Sequence, residues 1–167
     1  PQTADYHAEA VLISDVHVGS QEFHATAWDR FSDWLHTDEA GHVEALLIAG
    51  DMIEGVGVYP GQDAELAIVD VYDQYRRFAE LLKQVPGELE IAMIPGNHDA
   101  VRLAEPQPAF TAELRSIMTA HDATIAANPS TVRVAGVPIL MYHGVSLDEL
   151  IAELPAGKAS YDDPQLA

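Results

Sequence analysis

Two hydrophobic patterns alternate along the chain. Short continuous apolar runs at 10–13, 45–49, 91–94 and 139–141 are bounded by turn residues, as expected of parallel strands buried on both faces. Between them, apolar residues return every three or four positions, the spacing of one helix face. This predicts a helix at 25–36 through Trp28, Phe31, Trp34 and Leu35, and a second at 63–83 through Leu66, Val69, Tyr72, Tyr75, Phe78 and Leu82. A third is expected between Pro108 and His121, where Phe110, Leu114, Ile117 and Met118 keep the period, and a fourth at 147–154. The aromatic residues of the first two helices are expected to face the core rather than serve as nucleobase platforms. Residues 131–134 and 138–142, separated by Ala135-Gly136-Val137, predict a hairpin whose second strand delivers His143. Strand alternating with helix predicts an α/β layered fold. No internal repeat or low-complexity tract interrupts it, and the Pro/Gly-rich stretch at 155–164 reads as a loop.

Each apolar run is followed by a polar block: Asp15-Val16-His17, Gly50-Asp51, Gly96-Asn97-His98-Asp99 and Tyr142-His143-Gly144. Ligands in α/β folds gather beyond the carboxyl ends of the strands, so the four blocks should converge. Asp15, His17, Asp51, Asn97 and His143 offer the carboxylate, carbonyl and imidazole donors that divalent cations take. Two such cations about 3.5–4 Å apart clamp both sides of an in-line displacement at phosphorus. On an extended chain Asp15 and His17 would leave the same face and reach one ion. Asp51 is placed to bridge two ions, with Gly50 allowing the backbone close approach. A lone Asp-x-His is weak evidence; four blocks in the same strand-end context are not.

The ordered set resembles the calcineurin-like metallophosphoesterases, whose ligands come from Asp-x-His, Gly-Asp, Gly-Asn-His-Asp/Glu, a lone His and a final Gly-His-x-His. Gly55-Val56-Gly57-Val58-Tyr59-Pro60-Gly61-Gln62, Pro95-Gly96-Asn97-His98-Asp99-Ala100-Val101-Arg102, Glu105-Pro106-Gln107-Pro108 and Tyr142-His143-Gly144-Val145-Ser146 are further similar to the small subunits of archaeal family D DNA polymerases. That resemblance implies a sandwich of sheets flanked by helices and a metal-dependent, proofreading 3′→5′ exonuclease. The implied partners are a large catalytic polymerase subunit, DNA 3′ ends and, through the polymerase complex, the sliding clamp. The implied cofactors are two divalent ions; mixed oxygen and nitrogen donors suit Mn²⁺, with Mg²⁺, Zn²⁺ and Fe²⁺ compatible. Asp15 and His17 would hold the first ion, Asn97 and His143 the second, and Asp51 would bridge. His98 would hydrogen-bond the leaving 3′ oxygen or give it a proton, and Asp99 would orient His98. Arg102 is a candidate contact to a DNA phosphate, or else a partner of Glu105; Tyr59 either stacks on the terminal base or packs a turn. Two other readings remain: a noncatalytic assembly subunit, and a phosphoesterase acting on small esters. Retention of all five ligand positions weighs against the first, and the Tyr59-Pro60-Gly61-Gln62 and Glu105-Pro106-Gln107-Pro108 stretches weigh against the second.

The final Gly-His-x-His is missing, since no histidine follows His143. The expectation is therefore a piece of a longer subunit: one metallophosphoesterase domain over 1–167, truncated at its C-terminal side, with no second domain. Its 48% hydrophobic content is enough for a sizeable core, and it has no cysteine and no apolar stretch of membrane-spanning length. A soluble, cytoplasmic protein is expected. The remaining histidines, His7, His24, His36, His42 and His121, lie outside the motifs.

Charge complicates the nucleic-acid reading. Twenty-seven acidic against 8 basic residues give a formal net charge of −19, which should repel a phosphate backbone. Bound cations would offset this locally, and in about 1 M salt the Debye length is only about 3 Å. An acidic chain whose only lysines are Lys83 and Lys158 suits a high-salt cytoplasm. Together with the family resemblance, this points to a halophilic archaeal source.

Overall fold

The computed structural model describes residues 8–118 and 120–153. Four parallel strands form one sheet in the order β1 (Glu9–Ile13), β2 (Val43–Ala49), β3 (Glu90–Ile94) and β4 (Thr124–Ile125). Helix α1 (Ala25–Leu35) lies between β1 and β2 in the chain, and α2 (Val71–Leu82) lies between β2 and β3. The short α3 (Ala112–Ile117) precedes β4. A separate antiparallel hairpin pairs β5 (Ser130–Val134) with β6 (Val137–Met141), and α4 (Ser146–Glu153) follows. Among the described residues no helix is long and apolar enough to cross a membrane.

The alternating faces of β2 and β3 divide the interior in two. Leu46, Ile48, Ile91 and Met93 point to the helical side, where they join Trp28 and Leu35 of α1, Tyr75, Phe78 and Leu82 of α2, and Leu114 of α3. Ala45, Leu47, Ala92 and Ile94 point the other way and meet Val134 and Met141 of the hairpin. The sheet is thus held between a helical layer and a second, two-stranded sheet. Edge strand β1 packs Val11 and Ile13 on the helical side, but on the other side only Ala10 meets the hairpin cluster and Leu12 is 64% exposed.

Three expectations need correction. The run at 139–141 is not a parallel strand of the main sheet; it lies in β6, antiparallel to β5, and delivers His143 from the second layer. The helix expected at 63–83 begins only at Val71. Residues Gln62–Glu65 form a short 3-10 turn, Leu66 is extended and bridges to Ser20, and Val69 is exposed. The Asp70 carboxylate caps α2 by accepting from the Asp73 N–H at 3.0 Å, so the true start carries an N-cap signal that periodicity alone overrode. Finally, Phe31 and Trp34 are only half-buried, whereas Trp28 and Leu35 are in the core. The loop expected at 155–164 lies outside the described residues.

The hairpin closes through Ala135 and Gly136, both with positive φ (49° and 81°), the geometry of a type I′ turn that favours Asn-Gly. Alanine in a left-handed conformation carries a steric cost of roughly 1–2 kcal/mol. Ala135→Asn is expected to stabilise the fold by up to about 1 kcal/mol, read as a higher denaturant midpoint at unchanged slope. An unchanged or lowered midpoint would refute this account of the turn.

Candidate metal centre

Three loops leave the carboxyl ends of β1, β2 and β3, and a fourth arrives from β6. The first two are knitted together by backbone: Asp15 N–H donates to the Gly50 carbonyl, His17 N–H to that of Asp51 and Val18 N–H to that of Met52, each at 3.1 Å. Asp15, His17 and Asp51 all have left-handed backbones (φ 56°, 50° and 52°). For non-glycine residues this is strained, and the surrounding hydrogen bonds hold it. The expected extended Asp-x-His is therefore wrong, because β1 ends at Ile13 and the motif turns.

Asp51 lies at the centre and is 3% exposed. His17 Nε2 is 3.7 Å and His143 Nε2 3.4 Å from its Oδ2, and the His98 N–H donates to its Oδ1 at 2.9 Å. The donor atoms form two groups, each within 4.8 Å: His17, Asp51 and His98, and Asp15, Asp51 and His143. Asp51 belongs to both. Asp15 Oδ1 also lies 3.6 Å from His17 Nε2, so these two remain close enough to share an ion. Asn97 stands with His143, its Oδ1 3.0 Å from Nε2.

The imidazoles are oriented from behind. A carbonyl oxygen can only accept, so His143 Nδ1 donates to Ala49 at 2.7 Å and His98 Nδ1 to the Glu54 carbonyl at 2.8 Å. His17 Nδ1 lies 3.0 Å from Glu54 Oε2. In His17 and His143 this leaves Nε2 toward Asp51, the orientation that partners behind a ligand impose on ligating histidines. Two glycines make room: a methyl on Gly96 would lie 2.2 Å from Asp51 Oδ1, and one on Gly50 2.5 Å from His143 Nδ1.

Sequence reasoning missed Glu54. It is 5% exposed, and besides its two histidine contacts it accepts from Gln62 Nε2 (3.1 Å) and the Tyr59 hydroxyl (3.2 Å). The available signal was a carboxylate between Met52-Ile53 and Gly55, with no nearby cation in the sequence to pair with it. Asp99 does not orient His98. It is buried beneath the Gly96 loop, accepting from Gly96 N–H at 2.8 Å and the Tyr75 hydroxyl at 3.3 Å, and the His98 ring takes its partner from Glu54. Tyr59 is at the site: its ring lies edge-on to His98 at 6.2 Å, and its hydroxyl also donates to Glu65 at 2.7 Å. Arg102 instead turns to the Pro106 carbonyl, at 2.6 and 3.2 Å, and makes no ion pair with Glu105. Of the other histidines, His36 and His121 bond the carbonyls of Gln84 and Leu82, and His24 lines the cleft.

The electrostatics follow from this crowding. Contact with His17 holds the Asp15 carboxyl down at about 2, and the same contact is the largest influence raising His17. Burial pulls His143 down, but its contacts with Asp51 and the Ala49 carbonyl outweigh this and lift it to about 9. Burial pushes Asp99 up to about 7. The raised His143 pKa favours a proton on the ring that faces Asp51 and Asn97. Carboxylate, amide and imidazole donors aimed at two adjoining points fit a pair of divalent ions. An open cleft of about 540 Å³ leads to them, with Asp15, His17, Glu54 and His98 on one side and Phe23, Trp28 and Phe31 on another.

Comparison with known proteins gives a consistent picture. Residues 10–164 match the calcineurin-like phosphoesterase family. The chain is 72% identical over all 167 residues to the DNA polymerase II small subunit of Halobacterium salinarum, covering 33% of that protein. It is 45% identical over 163 residues, 93% of the chain, to that of Archaeoglobus fulgidus, again covering 33% of it. For the Pyrococcus furiosus small subunit the figures are 43% over 155 residues, 87% of the chain and 25% of the relative. The chain spans about a third or less of the length of these curated relatives.

Two outcomes are expected from Mn²⁺ titration followed by paramagnetic resonance of the free ion. Gly96→Ala, which drives a methyl into Asp51, should weaken binding as severely as Asp51→Ala. Binding should also tighten as pH rises from 6.5 toward about 9, because the ion must displace the His143 proton. A pH-independent affinity would refute that displacement.

Proposed function

Because the chain belongs to the calcineurin-like phosphoesterase family, we propose that it carries the metal-dependent 3′→5′ exonuclease centre of the small subunit of a replicative DNA polymerase. In this reading it hydrolyses phosphodiesters at DNA 3′ ends and proofreads for a large catalytic subunit, through which it also meets the sliding clamp. The observation that carries the reading is that the buried Asp51 belongs to both donor groups. The relatives' name, small subunit of a DNA polymerase, supplies the substrate class.

When bound, a pair of divalent ions, Mn²⁺ being our choice, would polarise the phosphodiester and activate water. Asp15, Asp51 and His143 would hold one ion, with Asn97 beside them; His17 and Asp51 would hold the other, with His98 adjacent. His98 has a second task. With Nδ1 donating to the Glu54 carbonyl, its Nε2 is the nitrogen free to hydrogen-bond the leaving 3′ oxygen or carry a proton to it. Glu54 fixes the ring directions of His17 and His98 together. Tyr59, held by Glu54 and Glu65, stands where a terminal nucleotide would enter.

The test is digestion of a 5′-labelled primer with a mismatched 3′ end, in high salt with Mn²⁺, by the full-length protein. Asp51→Ala should abolish shortening from the 3′ end. Glu54→Gln, which spares every proposed ligand but alters the partner of His17, should slow it by roughly 10–100-fold. Folded, metal-loaded protein that leaves the primer intact would overturn the exonuclease reading.

A further inference from the structure

The cleft at the metal centre does not end at its aromatic wall. Over the shoulder of α1 it continues into a groove of about 430 Å³ lined by Ala27, Arg30, Phe31 and Trp34. Ala27 and Phe31 line both spaces, so the surface is continuous. We propose that this face of α1 is the track along which the DNA strand approaches the metal centre, with Phe31 and Trp34 stacking on its bases and Arg30 meeting a phosphate. The proposal rests on the reading of the substrate as a DNA end.

Three observations support it. First, Phe31 and Trp34 are each packed on one side against the core but remain half-buried, with their rings 6.4 Å apart and inclined by only 27°. The two rings stack on one another, and Trp28 meets Phe31 edge-on, so together they form one partly exposed aromatic surface; such surfaces bind bases without regard to sequence, because every base has a π-face. Second, the groove carries no acidic side chain, although the chain bears a net charge of −19. Glu22 and Glu65 line the neighbouring cleft, while Asp29 and Asp33 stand exposed on α1 outside the groove. Within the groove itself a phosphate would meet a guanidinium and no carboxylate. Third, Arg30 makes no side-chain hydrogen bond or ion pair with another described residue; Arg77 and Arg115 share this freedom but do not line the groove, while Arg76 and Lys83 are tied to acids three residues away and Arg102 and Arg133 to loop carbonyls. The seven steps from Ala27 to Trp34 rise about 10 Å, matching about three nucleotides stacked at roughly 3.4 Å.

Two assays on the full-length protein test this. Fluorescence anisotropy of a 5′-labelled oligothymidylate, in chelator so that nothing is cut, reads binding. Mn²⁺-dependent kinetics on that oligonucleotide and on bis(p-nitrophenyl) phosphate compare the track with the centre. Phe31→Leu with Trp34→Leu keeps apolar bulk against the core but removes both ring faces. It should weaken oligonucleotide binding about tenfold or more, and lower kcat/KM for the oligonucleotide relative to the small diester by a similar factor, mainly through KM. Trp34→Phe should retain most of the binding, and Arg30→Gln should reduce the slope of log affinity against log salt by about 0.7. Unchanged binding in the double variant, or equal losses on both substrates, would overturn the track while leaving the exonuclease reading in place. Wild-type protein that hydrolyses the small diester but neither binds nor cuts the oligonucleotide would overturn the reading of the substrate itself. Loss of a co-purifying protein from the double variant, with oligonucleotide binding intact, would reassign the groove to a protein contact.

Discussion

A carboxylate at 3% exposure is costly unless positive charge or hydrogen bonds surround it, and Asp51 sets that requirement for the whole molecule. The side chains of His17 and His143 and the His98 backbone N–H converge on it from three segments that are far apart in sequence. Because these come from the ends of β1, β6 and β3, the order of strands in the main sheet and the docking of the hairpin against it are both conditions of keeping that charge inside. Removing any one loop would leave the carboxylate short of a partner.

Buried amides hold those loops in place. Gln74 spans Gly55 from both sides, accepting from its N–H and donating to its carbonyl, and Gln62 clasps the Glu54 carbonyl and the Val58 N–H. Gln107 donates to the carbonyls of Gly96 and Arg102 and accepts from Asn128, which in turn receives the His143 N–H. All four amides are at most 1% exposed, and no buried side-chain polar atom among the described residues lacks a partner. Interior amides of this kind are high-stakes: satisfied, they fix one loop geometry, and unsatisfied, each costs about 1–3 kcal/mol.

What the sequence revealed follows from which forces are local. The runs at 45–49 and 91–94 were legible because β2 and β3 are covered on both faces, and α1 because its period and its length agree. The family fold followed from the order of the polar blocks. The run at 139–141 misled because a short apolar segment looks alike in a parallel strand and in a hairpin packed against one. Leu66 and Val69 continued the rhythm of α2 by accident, and only the Asp70 cap marked its start. The extended backbone assumed for Asp15 and His17 was wrong, because two left-handed residues turn the chain there, yet the two side chains still meet at 3.6 Å. Glu54 was invisible for another reason: its partners lie 5 to 44 positions away, and no local pattern encodes them.

The hydrogen bond from His143 Nδ1 to the Ala49 carbonyl has a consequence for which changes the molecule tolerates. It ties a side chain delivered by the hairpin to the last residue of β2, so the second layer cannot shift against the main sheet without carrying an imidazole away from Asp51. The spacing between the two layers is thereby coupled to the geometry of the centre. A change of side-chain volume between them, at Val134 or Met141, is felt at Asp51 as a displaced ring.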